Sequence, residues 1–251
     1  MNHTKTFLKY ILIMLSTMAF TACSGETWKE EALQADGSVI IVERTVDRGG
    51  RHEIGQKPPI KNQSFGFTVP KTKQTVKWED NFTEDIGGSN FLPMMMNVHK
   101  DVPYVVAYPM GCTSYNKWGR PNPPYVVFKY ENKQWNRIDL QELPEELKTP
   151  NLIFSMPDIE AKNTGKSIVS AKEINAIYAG YRQPEYRSIL RVPLPVTRML
   201  ESCALRYGNG KGHWLSEDWF KDSKSLKACQ EVCKTKDFMG DTCPCAKLFK
   251  E

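Results

Sequence analysis

Past residue 27 the chain settles into short runs of alternating apolar and polar positions, broken by clusters of Gly, Pro, Asn and Asp. Residues 28–34 and 39–46 flank Ala35-Asp36-Gly37-Ser38, and an Asp-Gly pair between two such runs is a strong hairpin signal. Gly49-Gly50 and Pro58-Pro59 bound an irregular loop. Residues 64–69 alternate, and residues 74–78 do so again across a turn at 70–73. A polar loop at 81–90 leads into 91–98 and 102–108. The β-branched and aromatic run 125–130 turns at Glu131-Asn132-Lys133 into 134–138. Pairs of short strands at this spacing predict a mainly β fold of antiparallel hairpins, forming a sandwich or a partial propeller. Pro-Tyr-Val-Val occurs at both 103–106 and 124–127, an echo that suggests stacked hairpins, although two copies are too few for a propeller.

The pattern changes after Leu140. Residues 143–147 carry Pro144 and read as a loop or single turn, and residues 151–155 read as one more strand. Ser170-Ala171-Lys172-Glu173 is a capping box, followed by Ile174, Ile177, Tyr178 and Tyr181 at helical spacing. Pro184 ends that helix, residues 186–192 are extended, and Pro193 and Pro195 mark a break. Beyond it a helix is predicted over 216–233, capped by Ser216, with Trp219, Leu226, Cys229 and Cys233 on its apolar face. The predicted organisation is a β-rich domain over 28–198 and a small helical, cysteine-rich C-terminal appendage over 199–251.

Residues 1–22 have a different character. Lys5 and Lys9 stand, with no acid nearby, before an almost wholly apolar stretch at 10–20, and Thr21-Ala22-Cys23 closes it with small residues. This is the layout of a secretory signal. Phe20-Thr21-Ala22-Cys23 resembles the lipobox of bacterial lipoproteins, with Phe20 where Leu is usual. The resemblance implies cleavage after residue 22, a diacylated and then acylated Cys23 (palmitate included) as the first mature residue, and a short anchored tether over 23–27. Ser24 in place of Asp implies sorting to the outer membrane, facing the periplasm. An uncleaved anchor helix is the other reading, but the interrupted apolar run over 7–23 falls short of the roughly 20 residues that span a bilayer. Acyl chains anchor at about 0.8 kcal/mol per buried CH2, and stable anchoring takes more than one chain.

Removing the leader takes away two of the 34 Lys+Arg and none of the 29 Asp+Glu, which leaves a mature net charge of about +3. So mild a balance does not argue for nucleic acid. A hydrophobic content of 40% with 25% charged residues excludes bulk disorder. With Cys23 acylated, Cys112, Cys203, Cys229, Cys233, Cys243 and Cys245 remain, and an even number in an exported chain predicts three disulfides. Cys229 and Cys233, four apart, share a helix face; Cys243 and Cys245, two apart, share a face of an extended segment. The simplest closure is nested, Cys229 with Cys245 and Cys233 with Cys243, leaving Cys112 with Cys203. Structural zinc competes for the C-terminal four, but C-x-C is an unusual half-site and no histidine lies within the cluster.

Catalytic signatures are sparse. There is no G-x-S-x-G, H-E-x-x-H or H-x-H, and the mature chain holds only His52, His99 and His213. Cys112 lies in Met110-Gly111-Cys112-Thr113, a candidate nucleophile turn for which His99 would have to hold the thiolate. Its flanks match no papain-like or cell-wall cysteine peptidase, and a disulfide is the commoner use. Gly165-Lys166-Ser167 has the form of a phosphate-loop end, but Glu160 stands where the first glycine belongs. Tyr181, Arg182, Tyr186, Arg187 and Arg191 suit either anionic headgroups and glycan or a solvated strand face. Two loops are binding candidates. In one, Arg48, Arg51, His52 and Glu53 offer charge around a Gly-Gly pair that lets backbone approach a ligand. In the other, Tyr115, Trp118 and Arg120 can stack on sugar rings or a proline-rich peptide. No cofactor or metal is implied.

At the start of the body, Trp28, Glu30, Glu31, Leu33, Asp36 and Gly37 form Trp-x-Glu-Glu-x-Leu-x-x-Asp-Gly. That pattern is similar to uncharacterised proteobacterial envelope lipoproteins and brings no established activity with it. The expectation is a lipid-anchored periplasmic envelope protein acting by binding or structural support. Its expected partners are the membrane, through Cys23, and another envelope protein or a glycan. A cell-wall or glycan hydrolase using Cys112 and His99, or a carboxylate pair, is the competing expectation.

Overall fold

A computed structural model describes residues 25–195 and 202–249. The expected signal segment 1–22, the expected acylation site Cys23 and the expected domain boundary at 198/199 lie outside the described residues.

Strands β1 (Glu26–Leu33), β2 (Val39–Arg48), β3 (Ile60–Thr68) and β4 (Thr75–Asp80) form an antiparallel meander. Strands β5 (Phe91–His99), β6 (Val102–Pro109), β7 (Val126–Glu131) and β8 (Gln134–Ile138) form a second. The two sheets pack face to face: Val42, Phe65, Phe67 and Trp78 share one core with Phe91, Met96, Val105 and Phe128. The fold is therefore mainly β and antiparallel, and it closes as a sandwich rather than a propeller. The two Pro-Tyr-Val-Val segments lie side by side, with Val106 opposite Val127, so the echo marks neighbouring antiparallel strands and not a stacked repeat.

The far face of the second sheet is covered as well. Met94, Tyr104, Val106, Tyr108 and Val127 pack there against Leu143, Leu147, Ile153, Phe154, Ile174 and Tyr178. Burial on both faces explains why 91–98 and 102–108 are almost continuously apolar, whereas β2 and β4, wet on one face, alternate. Short helices supply this third layer: α2 (Pro157–Thr164), α3 (Ala171–Ala179) and α4 (Pro184–Arg187), while α1 (Gly111–Lys117) follows β6. A two-residue strand, β9 (Ile168–Val169), joins β1 in parallel and delivers the chain to α3.

Local signals are realised in detail. Gly37 sits at φ +86° in the β1–β2 turn, and Asp36 Oδ1 accepts the Ser38 amide at 2.9 Å. Ser170 caps α3: its Oγ accepts the Glu173 amide, and Glu173 Oε2 accepts the Ser170 amide at 2.9 Å. Three expectations need correction. Pro184 opens α4 instead of merely ending the preceding helix, and Tyr186 is helical instead of extended. The tail helix is broken in two, α5 (Asp218–Lys221) and α6 (Leu226–Thr235), because Ser225 caps a new start; Trp219 and Leu226 are exposed.

The third correction concerns 151–155, which pair with no strand. The amides of Asn151 and Leu152 both donate to Met94 O at 3.0 Å, beside the bulge in β5. The Ile153 amide donates to Glu30 Oε2 at 3.0 Å, and Ile153 O accepts from Arg44 Nη1. Glu30 and Arg44 are themselves paired at 3.1 Å, with side chains 0% and 1% exposed. Trp28 Nε1 donates to Glu30 Oε1 at 2.6 Å, and the Arg44 guanidinium lies 5.1 Å from the Trp28 ring centroid. At Ile153 a buried ion pair thus takes the place of a strand ladder.

Removing one member of such a pair leaves a buried charge alone, at a cost of about 3–5 kcal/mol. Glu30→Leu and Arg44→Met are each expected to lower the unfolding free energy by that order in urea titration. The double substitution should cost less than the two singles together, and strict additivity would contradict the coupling.

Candidate functional site

At one end of the sandwich, loop 81–90 is fastened by Asp80, the last residue of β4. Its carboxylate accepts the Asn90 amide, at 2.7 Å to Oδ2, the Phe91 amide at 2.7 Å, and Asn90 Nδ2 at 3.0 Å. These bonds pin both ends of loop 81–90 where the chain crosses between sheets. Helix α1 holds the same loop from the side: Lys117 Nζ donates to Thr83 Oγ1 at 3.2 Å and pairs with Asp85 at 2.9 Å. Trp118 Nε1 donates to Asn90 Oδ1 at 3.2 Å, and the Ser114 hydroxyl donates to Asn90 O.

The tail docks on α1. Cys112 is disulfide-bonded to Cys203, a bridge between residues 91 apart, which stabilises by about 4–5 kcal/mol in the chain-entropy picture. Around it, Asn116 Nδ2 donates to Ala204 O at 3.1 Å, and the Arg206 amide donates to Asn116 Oδ1 at 2.9 Å. The tail then folds on itself as a small hairpin, β10 (Arg206–Gly208) and β11 (Trp214–Ser216), followed by α5, α6 and α7 (Cys245–Leu248). Phe220 and Phe238 form its core with the bridges Cys229–Cys245 and Cys233–Cys243. Sγ atoms of Cys229, Cys233 and Cys245 lie within 4.8 Å of one another, but each is bonded to another sulfur, a state incompatible with thiolate ligation of zinc.

Between hairpin tip and loop 81–90 an open cleft of ≈ 560 Å³ is lined by Glu84, Asp85, Lys211, His213, Trp214 and Thr242 together with Gly208, Gly210 and Gly212. Trp214 lies across the strand pair from Gly208, where an added Cβ would come within 3.0 Å of the indole. A larger residue at 208 would push the ring aside. The tip is bent by buried Asn209, whose Oδ1 accepts the amides of Lys211 at 2.8 Å and His213 at 3.1 Å. Lys211 also pairs with Asp237 at 2.8 Å. For Asp85, burial pushes the carboxyl up, but the hydrogen bond and charge of Lys117 prevail and hold it below the ordinary value.

The residues singled out by sequence do not converge on this cleft. Arg48 is fixed by both oxygens of Asp158, at 2.7 and 2.6 Å, and by Pro58 O, so it braces the loop base. Arg51, His52 and Glu53 are exposed, and His52 Nδ1 lies 3.0 Å from its own loop's Gly50 O. Tyr115 is fully buried with Arg120 over its ring at 4.8 Å, and Arg120 Nη2 donates to Cys203 O at 2.9 Å. Trp118 packs 4.6 Å from Phe91. These three serve packing and tail attachment, and offer no open stacking platform. His99 and Cys112 sit at opposite ends of the β5–β6 hairpin, since His99 pairs with Val102 and Phe91 with Pro109. A Ser-x-x-Lys spacing occurs at Ser114 and Lys117, but the hydroxyl is buried on Asn90 and the amine is turned to Asp85. The cleft itself was missed; its signal was the turn-forming run Gly208, Gly210, Gly212 directly before Trp214. Comparison with known protein families, characterised proteins and solved structures found no match.

Burial raises the Asp80 carboxyl above the ordinary aspartate value despite its N–H donors. A raised folded pKa means that the folded chain binds the proton first, so this contribution to stability is present in acid and lost as pH rises through the folded value. Glu173 has the opposite sign. Its bonds to Lys166 and Ser170 hold it down to about 2, so its contribution is lost as pH falls toward that value. Carboxyl-carbon NMR titration should find Asp80 titrating above, and Glu173 far below, the ordinary range; a normal Asp80 midpoint would contradict the burial argument.

Proposed function

We propose that this is a lipid-anchored periplasmic envelope protein that works by binding, with the Trp214 cleft receiving a glycan. The observation that carries the binding reading is the composition of that cleft. The Trp214 indole, packed over Gly208, stands among five polar or charged side chains, Glu84, Asp85, Lys211, His213 and Thr242, on elements stapled by disulfides. A cleft that sets one aromatic ring among several hydrogen-bonding groups suits a polar ligand that also has an apolar face. A sugar ring supplies an apolar C–H face for the indole and hydroxyls for the carboxylate, imidazole and hydroxyl.

The hydrolase reading fares worse on chemistry. Cys112 has no thiol to ionise, and His99 lies a strand's length away. Asp85, held ionised by Lys117, is poorly suited to donate a proton as a general acid. Anchoring is supported by the lipobox-like residues 20–23, which stand just before the first strand at Glu26.

Two measurements test the two halves of this proposal. Soluble cell-wall glycan fragments titrated against tryptophan fluorescence should bind the parent. They should bind Trp214→Ala about thirtyfold more weakly, the 2 kcal/mol expected of an aromatic hot spot, with the melting temperature unchanged. Equal affinity in both proteins, or none in the parent, would sink the glycan site. Intact mass of membrane-extracted protein should show an acylated chain beginning at Cys23, with six thiols appearing only on reduction. Cys23→Ala should leave the membrane fraction or remain unprocessed.

A further inference from the structure

We infer that the loop between β2 and β3 rests on the bilayer that holds Cys23 and inserts Ile54 into it, so that the anchored molecule stands on this end of the sandwich. The inference deepens the proposed function and rests on acylation of Cys23.

Register supplies the direction. Glu26 is paired with Val46, so Asp47 is level with Gly25, and β2 continues outward to Arg48 before the loop begins. Gly25 abuts this end directly, since an added Cβ would meet Asp47 Oδ1 at 2.1 Å. Two extended residues reach about 7 Å, so an acylated Cys23 brings Gly25 to the membrane surface. Loop 49–59 starts farther out along the same direction than Gly25 does. With this end of the sandwich turned to the membrane, the length it projects reaches the headgroups.

The loop is built to do so. Its base is closed by the Gly49 amide on Pro59 O at 3.0 Å and braced by Arg48 on Pro58 O and Asp158. At its tip the Gln56 amide donates to Glu53 O at 3.1 Å, and Gly55 takes φ +86°, the conformation a tight turn needs at its third position. That turn presents Ile54 at its second position, with a relative exposure of 107%. Arg51, His52, Glu53 and Lys57 flank it in the loop, all exposed, so the apolar tip stands among polar side chains with two permanent cations against one acid, a pattern compatible with an interfacial membrane contact. Phe82, also exposed, and Lys61 beneath it lie at the same end, where the Phe82 amide donates to Asn62 Oδ1 at 2.8 Å.

The test uses the acylated full-length protein in vesicles of phosphatidylethanolamine and phosphatidylglycerol, with its lipid verified by mass. An environment-sensitive NBD label is placed at Ile54→Cys, and in a second protein at Lys133→Cys in a turn at the opposite end. The label at 54 should emit to the blue of the label at 133 and be quenched severalfold by lipids brominated near the headgroup–acyl boundary. An acylated protein whose two labels respond alike overturns the loop contact and leaves the anchor standing. A chain that carries no lipid overturns both.

Discussion

Two charges with no access to water, Glu30 and Arg44, organise the centre of this molecule. Neither can be buried alone, and together they still leave lone pairs and N–H groups that need partners. The backbone of Ile153 supplies both an N–H and a C=O, and Trp28 supplies its indole N–H to one face of the arrangement. Segment 151–154 is held by these side chains together with Met94 O, and the third layer hangs from it: the Tyr178 hydroxyl reaches Leu152 O at 2.6 Å, and Phe154 stacks on Tyr178 and packs at a tilt against Tyr186. The residues that carry the resemblance at the start of the body have a physical account here. Trp28 and Glu30 build the buried pair, Glu31 accepts the Ala171 amide at the start of α3, and Asp36 with Gly37 makes the turn.

Rigidity at the other important place is covalent. Helix α1 is short and has no side-chain cap, yet it joins loop 81–90 on one flank to the tail on the other, through Lys117 and through Cys112–Cys203. A cleft formed by two loops would ordinarily be mobile, because loops bury little apolar surface. Here one wall is pinned by Asp80 and Lys117, and the other belongs to a hairpin whose neighbours carry two disulfides. The sulfurs that looked like candidate chemistry are structural, and their effect on function is through placement.

The two ends of the sandwich differ in kind. One carries the tight turns at 34–38, 100–101 and 131–133. The other collects Gly25, the Ile54 loop, loop 81–90, α1 and the tail, and an added Cβ on Gly50 would lie 3.6 Å from Gly87 O. On the proposed anchoring, the Trp214 cleft would open close to the bilayer, which suits a ligand that is itself at or near the membrane surface.

What the sequence determined by itself is local in origin. Alternation, the Asp36-Gly37 turn and the Ser170–Glu173 box depend on neighbours a few residues apart, so hairpins and α3 were legible from them. Spacings of four and two in the tail were enough to suggest which cysteines face each other, and the bridges form between those partners. Tertiary structure decided what depends on distant partners. Residues 151–155 have the composition of a strand, but the backbone groups of Ile153 are satisfied by Glu30 and Arg44, more than a hundred residues earlier, and the amides of Asn151 and Leu152 by Met94 O. Arg48 reads as a binding residue until Asp158, 110 positions away, takes both ends of its guanidinium. Whether an apolar side chain in a polar loop, such as Ile54, is inside or out, and whether Trp214 meets Glu84 across a cleft, are set by chain packing. No local pattern encodes that, because burial and convergence are properties of the whole fold.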